Sequence, residues 1–483
     1  MNLLSVFRVM AWVLAFIGFF MLVPTVMAFV TGEMVPLYSF LVTLMLMTVF
    51  ITCTLILTKK QKGLTIGSKE SLLTVSLCWL VMTAFGALPL YFSGTMPTYT
   101  QCYYEIMSGF TTTGATAINN AEGLPRSIAF WRSLTNWLGG LGVIVIFVGI
   151  LPLFGVKGFA LVGAESTGPT KSKLTPTIQR SSLVLLGIYA GLSLMEVTCL
   201  LLGRLSLFDS FCVMFGTMAN AGYTVKNASI AGYGSAYVEW VCIVFMFIAG
   251  TNFALYYYPL RGKPGQMLRN GELRYYTGIT FVLGVLATIN IFAKGLFSPL
   301  ESVRHGFFQV ISFMTTTGFT STNYAVWPVF AQMLLLLTCF IGGCAGSAAG
   351  GIKVSRVIIL WKLAMNGLKQ RIHPNIVTTV KLGDEVFDSN TALTVGGFVC
   401  MYLANMLIGA VILSLSGQEF IVCFSASVQA IGNIGIAFGG LGTEFTFSVF
   451  PEWAFWVMTW LMFVGRLELF TVYAVLTPVF WRH

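Results

Sequence analysis

The chain alternates long apolar stretches with short polar knots. A membrane-spanning helix needs about 20 apolar residues. Residues 9–32 and 34–58 carry no charge and meet at a turn around Glu33. They predict two spanning helices, the first of them longer than the ~7–15-residue core of a cleaved signal peptide. Eight more spans are predicted at 71–91, 133–156, 181–203, 240–260, 275–293, 327 to about 360, 389–416 and 453–481.

Four apolar segments between these spans are too short to cross. They are 101–116 (QCYYEIMSGFTTTGAT), 208–224 (FDSFCVMFGTMANAGYT), 300–320 (LESVRHGFFQVISFMTTTGFT) and 420–437 (FIVCFSASVQAIGNIGIA). Each is a short helical stretch followed by a glycine-bearing run, which suits a re-entrant helix. The turn glycines Gly114, Gly222, Gly318 and Gly435 lie 108, 96 and 117 residues apart. Recurrence of one unit at this spacing is an internal repeat. The predicted fold is an all-α integral membrane protein with ten spans and four re-entrant loops. An N-terminal hairpin (1–68) precedes four helix–pore loop–helix repeats at 69–165, 166–265, 266–380 and 381–483 around one pore.

Composition agrees. Of 483 residues, 57% are apolar and only 9% charged, against about 25% charged in a soluble domain. That excludes a soluble enzyme, a disordered chain and a phosphate-tracking nucleic-acid binder. Lys and Arg gather in cytoplasmic loops. With both termini inside, 20 of the 27 basic residues fall on the inner side and 6 on the outer, Arg126, Arg132, Arg204, Lys226, Lys294 and Arg304, which leaves Arg466. Basic loops facing an anionic leaflet account for the net charge of +10. The ten cysteines form no CxxC pair and the three histidines are far apart. They read as small buried apolar residues rather than a zinc site or a disulfide framework.

Irregular backbone inside a bilayer is tolerated only when buried in protein or lining water. Four loops meeting on one axis could offer a cation a ring of carbonyl oxygens. Glycine admits the backbone conformations this needs, and the pore helices could turn their negative C-terminal ends toward the cavity. Close helix packing through small residues is the bland alternative. The near-identical TTTGAT (111–116) and TTTGFT (315–320), with two degenerate copies in register, favour the pore.

The chain resembles the Trk/Ktr/HKT superfamily of potassium transporters, and more closely its bacterial TrkH/TrkG pore subunits. The likeness rests on the two TTTG runs, on 340–356 (FIGGCAGSAAGGIKVSR) and on 465–482 (GRLELFTVYAVLTPVFWR). It implies potassium as substrate, no organic cofactor and no enzymatic activity. It also implies a homodimer in the bacterial inner membrane and a cytoplasmic TrkA-like nucleotide-binding partner. The implied filter segments are Thr112-Thr113-Gly114, Asn220-Ala221-Gly222, Thr316-Thr317-Gly318 and Asn433-Ile434-Gly435. The second and fourth depart from the family's usual wording, and Ala348 replaces its threonine.

The same likeness makes 342–351 (GGCAGSAAGG) a gating loop, with Gly342, Gly343, Gly346, Gly350 and Gly351 as its flexible points. A phosphate-binding P-loop does not fit, because Ile352 precedes Lys353. A kinked, packed helix is the other reading. Arg466 is expected inside the last span, where an arginine facing lipid costs roughly 2.5–3.5 kcal/mol. The likeness turns it into the pore as part of the gate; a salt bridge within the bundle, for instance with Glu196, is the alternative. Glu105, Asp209, Glu301 and Glu419 are read as pore-helix N-terminal residues that complement the helix dipole; concentrating cations at the outer mouth is the alternative. A Na⁺- or H⁺-coupled secondary transporter with broken helices is the competing function.

Overall fold

The computed structural model describes residues 2–59, 64–65, 67–140, 156–157, 178–375, 379–383, 385–387, 389–439 and 446–482. The N-terminal hairpin is Leu3–Thr31 and Met34–Leu57. Gly32, at φ 73°, ends the first helix, and the Glu33 amide reaches back to Ala28 O at 2.9 Å. Both helices are apolar all round and leave large side chains such as Phe19, Val30 and Leu57 uncovered, as lipid-facing spans do. Glu33 also docks the hairpin. Its carboxylate accepts from the amides of Arg126 (2.7 Å) and Ser127 (3.1 Å), capping the free donors of the helix that starts there.

Four units follow, each an entry helix, a short pore helix, an irregular loop and an exit helix. The entry helices are Ser68–Phe92, Ile178–Leu202, Gly271–Ala293 and Ser389–Ser414. The pore helices are Tyr99–Phe110, Leu207–Ala219, Pro299–Met314 and Phe420–Gly432. They have 12 to 16 residues, so at 1.5 Å per residue they fall short of the ~30 Å hydrocarbon core. Their C-terminal turns are wholly buried, so the short helices lie in protein and the entry helices face outward. Among the described residues, strand is confined to a two-residue parallel pair, Leu64–Thr65 with Val156–Lys157, and the hairpin Val380–Leu382 with Glu385–Phe387.

The exit helices are where shape departs from simple spans. Among the described residues six helices are long and apolar enough to cross, and two bent pairs raise the number to eight. The second exit helix, Ala236–Ala249, turns by 99° into Phe253–Leu260. At that break the Asn252 side chain accepts from the Ala254 amide at 2.9 Å and starts a new turn. The third is Val329–Thr338, then irregular chain, then Val354–Ile372. The fourth, Glu452–Arg466, turns by 112° into Phe470–Leu476. The first is described as Arg126–Gly140; residues 141–155 of the span expected at 133–156 lie outside the described residues, as do Lys60, Lys62, Lys171 and Lys173.

Candidate functional site: four glycine loops in a ring

Each pore helix stops in the same way. The residue after its last turn is left-handed: Thr112 (φ 54°), Asn220 (50°), Thr316 (59°) and Asn433 (54°). The next amide reaches back five residues, Thr113 to Ser108 O (2.8 Å), Ala221 to Gly216 O (2.8 Å), Thr317 to Ser312 O (2.8 Å) and Ile434 to Gln429 O (3.0 Å). The left-handed residue's own amide reaches back three. This pairing is a Schellman ending, which normally uses glycine. Asparagine tolerates the left-handed region; for β-branched threonine it is an outlier costing about 1–2 kcal/mol. Such cost persists where the surroundings over-determine the backbone.

The four loops then close on one another. A β-carbon on Gly114 would meet Gly222 N, one on Gly222 would lie 2.6 Å from Thr317 O, and one on Gly318 would meet Ile434 O. One on Gly435 would meet Thr113 O, which returns the circuit to the first unit. Each unit therefore presents its glycine to the backbone of the next, in order, and there is no room for any side chain. Gly114, Gly318 and Gly435 also have positive φ; Gly222 does not. An open cavity above the ring is lined by these glycines with Thr116, Thr224 and Thr320. Among the described residues no three His, Cys, Asp or Glu side chains come together to hold a metal, so backbone and hydroxyl oxygens are what the ring offers a cation.

Side chains sew the units together alternately. Asn433 Nδ2 donates to Thr113 Oγ1 (3.0 Å), and Thr317 Oγ1 donates to Asn220 Oδ1 (3.1 Å). These ties join unit four to one and three to two. At the other two junctions, the Tyr223 hydroxyl lies 3.2 Å from Ala115 O and the Tyr324 hydroxyl 2.6 Å from Ala437 O.

Behind the first loop lies a feature the sequence reading misplaced. Glu105 is not a capping residue: it sits in the second turn of its helix, fully buried, with Arg132 Nε at 2.5 Å. Arg132, assigned above to an outer loop, is 3% exposed within the first exit helix. Charge counting places a residue on a side of the membrane but cannot see that a loop charge is folded inward. Capping does hold elsewhere. Ser298 and Glu301 form a capping box on the third pore helix, and the Ser298 hydroxyl holds the Glu301 carboxyl below the usual carboxylate range. Asp209 receives the Ser206 hydroxyl. Glu419 precedes the fourth pore helix without a side-chain cap.

Below the ring, 339–353 fills the space left by the broken exit helices. The Cys344 and Ala348 amides donate to Gly250 O (2.9 Å) and Ala249 O (3.2 Å), the freed end of the second exit helix. The Gly350 amide donates to Thr316 Oγ1 (2.6 Å), directly under the third loop. Glu272 Oε1 accepts from the amides of Ala345 (2.8 Å) and Ser355 (3.1 Å), pinning the segment at two points. A β-carbon on Gly342 would strike Gly350 O, and one on Gly350 would strike Gly432 O at the end of the fourth pore helix. Gly346 and Gly351 have φ of 75° and 65°, and Gly343 packs on Gly250 O.

Arg466 is the last residue of its helix, at the 112° bend, rather than the middle of a continuous span. Its guanidinium donates to Ala348 O (2.9 Å), Gly139 O (2.7 Å) and Gly140 O (3.2 Å). It thus links the fourth unit to the third unit's irregular segment and the first exit helix. Among the described residues the alternative pairing with Glu196 does not form, and these backbone carbonyls accept from the guanidinium. Glu468, two residues on, pairs instead with Arg356, whose guanidinium lies 3.9 Å from the Phe398 ring centre.

The chain matches the model of the TrkH family of cation transport proteins over residues 38–271 and 273–479. It is 36% identical over 428 residues to the Trk system potassium uptake protein TrkH of Escherichia coli K12, covering 88% of each chain. It is 32% identical over 490 residues to that of Vibrio parahaemolyticus, covering 100% of both. With TrkG of Escherichia coli K12 it shares 31% over 428 residues, again 88% of each. The crystal structure of the potassium transporter TrkH from Vibrio parahaemolyticus superposes with a TM-score of 0.88 at 30% identity, covering 100% of both chains. With two N-terminal helices, four looped units and this likeness along its length, the chain belongs to the TrkH family of cation transport proteins.

Proposed function

We propose that this protein carries potassium into the cell through the ring of four glycine loops. The cyclic approach of Gly114, Gly222, Gly318 and Gly435, each to the backbone of the next, carries the reading. It packs four irregular backbones around one point, where carbonyl oxygens can replace an ion's water. The filter is then Thr112–Gly114, Asn220–Gly222, Thr316–Gly318 and Asn433–Gly435. The curated relatives are named as potassium uptake proteins, which fits four glycines.

The gate is Gly342–Gly351 together with Arg466. The guanidinium places a fixed positive charge beneath the ring and bonds Ala348 O and Gly139 O across units, so breaking these bonds frees the segment under the filter. Opening is coupled to a cytoplasmic nucleotide-binding subunit, since the relatives are parts of a Trk system. The protein works as a homodimer in the bacterial inner membrane with both termini cytoplasmic, the orientation that puts 20 of 27 basic residues inside. The four units follow 69–165, 166–265, 266–380 and 381–483.

The test is flux in proteoliposomes. Gly114→Ser should lower the K⁺/Na⁺ permeability ratio roughly tenfold, the scale of ~1.4 kcal/mol between two ions at one site; an unchanged ratio removes Gly114 from the filter. Arg466→Ala should raise basal K⁺ flux at least about threefold, because three hydrogen bonds from a charged group are lost. Equal or lower flux at matched protein abundance removes Arg466 from the gate.

A further inference from the structure

We propose that Glu105, Arg132 and Tyr223 form a positioning unit that sets ion selectivity from behind the ring; this rests on the reading of the glycine loops as the filter. Glu105 is nine residues before Gly114. Its carboxylate accepts from the Thr116 hydroxyl (2.9 Å), the Ala117 amide (3.0 Å) and Arg132 Nε (2.5 Å). Thr116 and Ala117 are the chain just beyond Gly114, so the carboxylate holds the outer end of the first loop.

Arg132 passes the grip to the second loop. Its Nη1 donates to Thr224 O at 3.1 Å, two residues beyond Gly222. Its guanidinium lies 3.6 Å from the Tyr223 ring centre. The Tyr223 hydroxyl returns to the first unit, 2.5 Å from Glu105 O and 3.2 Å from Ala115 O. Both members of the ion pair are buried, at 0% and 3% exposure. A buried charge that loses its partner is strongly unfavourable, so this junction resists displacement more than a neutral one.

The other units lack the charge. Nine residues before Gly318 stands Gln309, whose Oε1 accepts from the Ser321 amide at 3.3 Å, the position of Ala117 in the first unit. Val213 and Ala426 stand at the same offset before Gly222 and Gly435 and offer no side-chain acceptor. Among the described residues, the ion pair whose two members both bond the loop backbone beyond the glycines is the one at the junction of units one and two; the Arg304–Glu239 pair joins units two and three through their helices. Loosening the clamp between units one and two lets the loops relax around a cation of another size.

The experiment is the K⁺/Na⁺ permeability ratio of the full-length protein in proteoliposomes, at matched abundance and matched melting temperature. Glu105→Gln and Arg132→Gln should each lower the ratio roughly tenfold, the scale of one lost charge-assisted hydrogen bond. Arg132→Lys, unable to reach both Glu105 and Thr224, should lower it less. Tyr223→Phe removes one hydroxyl and keeps the ring; it should lower the ratio about threefold and decides the matter if the charge variants do not fold. Ratios within twofold of the parent in every variant that folds, while Gly114→Ser shifts it, overturn the positioning role and leave the filter standing. No shift with Gly114→Ser overturns the filter and the positioning unit together.

Discussion

Units one and three read TTTG; units two and four read Asn-x-Gly. The two kinds share no side chain at the left-handed position, yet all four make the same backbone bonds and bring a glycine against the next unit. What the repeats hold in common is therefore backbone geometry, and the side chains have divided labour. The threonine units supply hydroxyls, which pair internally (Thr111 with Thr113 and Thr315 with Thr317, each at 2.8 Å). The asparagine units supply amides that reach across to those hydroxyls. A ring follows in which all four helix endings share one backbone geometry and the side chains come in two kinds.

Glycine substitution tests the shared backbone most severely. Gly318→Ala and Gly435→Ala, one in each unit type, place a methyl against Ile434 O and Thr113 O. A β-carbon under 3 Å from backbone oxygen must displace a loop, and a shift of this kind at a functional centre costs on the order of 100-fold. We expect K⁺ uptake to fall by at least about that much in both unit types, measured as growth and ⁸⁶Rb⁺ influx. Tolerance in an asparagine unit alone would mean that only the threonine units line the path.

Asparagine replacement tests the division of labour. Asn433→Leu removes donors to Thr113 Oγ1 and Met462 O and forces leucine into the left-handed region. Asn220→Leu removes one acceptor for Thr317. The left-handed cost of about 1–2 kcal/mol is common to both, while each lost hydrogen bond adds roughly 1 kcal/mol. Asn433→Leu should thus lower the melting temperature by several degrees and by more than Asn220→Leu. The reverse order in a thermal-shift assay would show that the tie of unit three to two matters more than that of four to one.

Much of this was legible because membranes impose long-range regularity on sequence. Charge-free runs marked the hairpin and entry helices, and TTTG with its spacing marked the loops. The exit helices were harder. Hydropathy averages over the breaks at 250–252 (GTN) and 467–469 (LEL), since each is three residues long with apolar helix on both sides. Arg466 consequently looked central to a span when it terminates a helix. Glu105 and Arg132 were misjudged for a related reason. They are 27 residues apart on different helices, and nothing local distinguishes a carboxylate facing the helix end from one facing the protein interior. A comparison of offsets would have helped: Glu105 and Gln309 both stand nine residues before their loop glycine, too deep in the helix to cap it.

The smallest expected effect concerns the outer mouth. Glu301 and Glu419 are the acidic residues at the starts of the third and fourth pore helices, one of each unit type. Glu301 closes a capping box with Ser298, whose amide and hydroxyl lie 3.1 and 2.8 Å from its carboxylate. Glu419 makes no side-chain cap. If capping is their role, Glu301→Gln should lower the melting temperature by about 1–2 °C and Glu419→Gln should leave it unchanged. If they concentrate cations, both variants should reduce K⁺ influx alike, most at low ionic strength, where exposed charges are least screened. We expect the first pattern, with influx within about twofold of the parent for both variants, because surface charges in water act weakly. Equal losses of influx, reversed by added salt, would instead make the mouth carboxylates a shared property of both unit types.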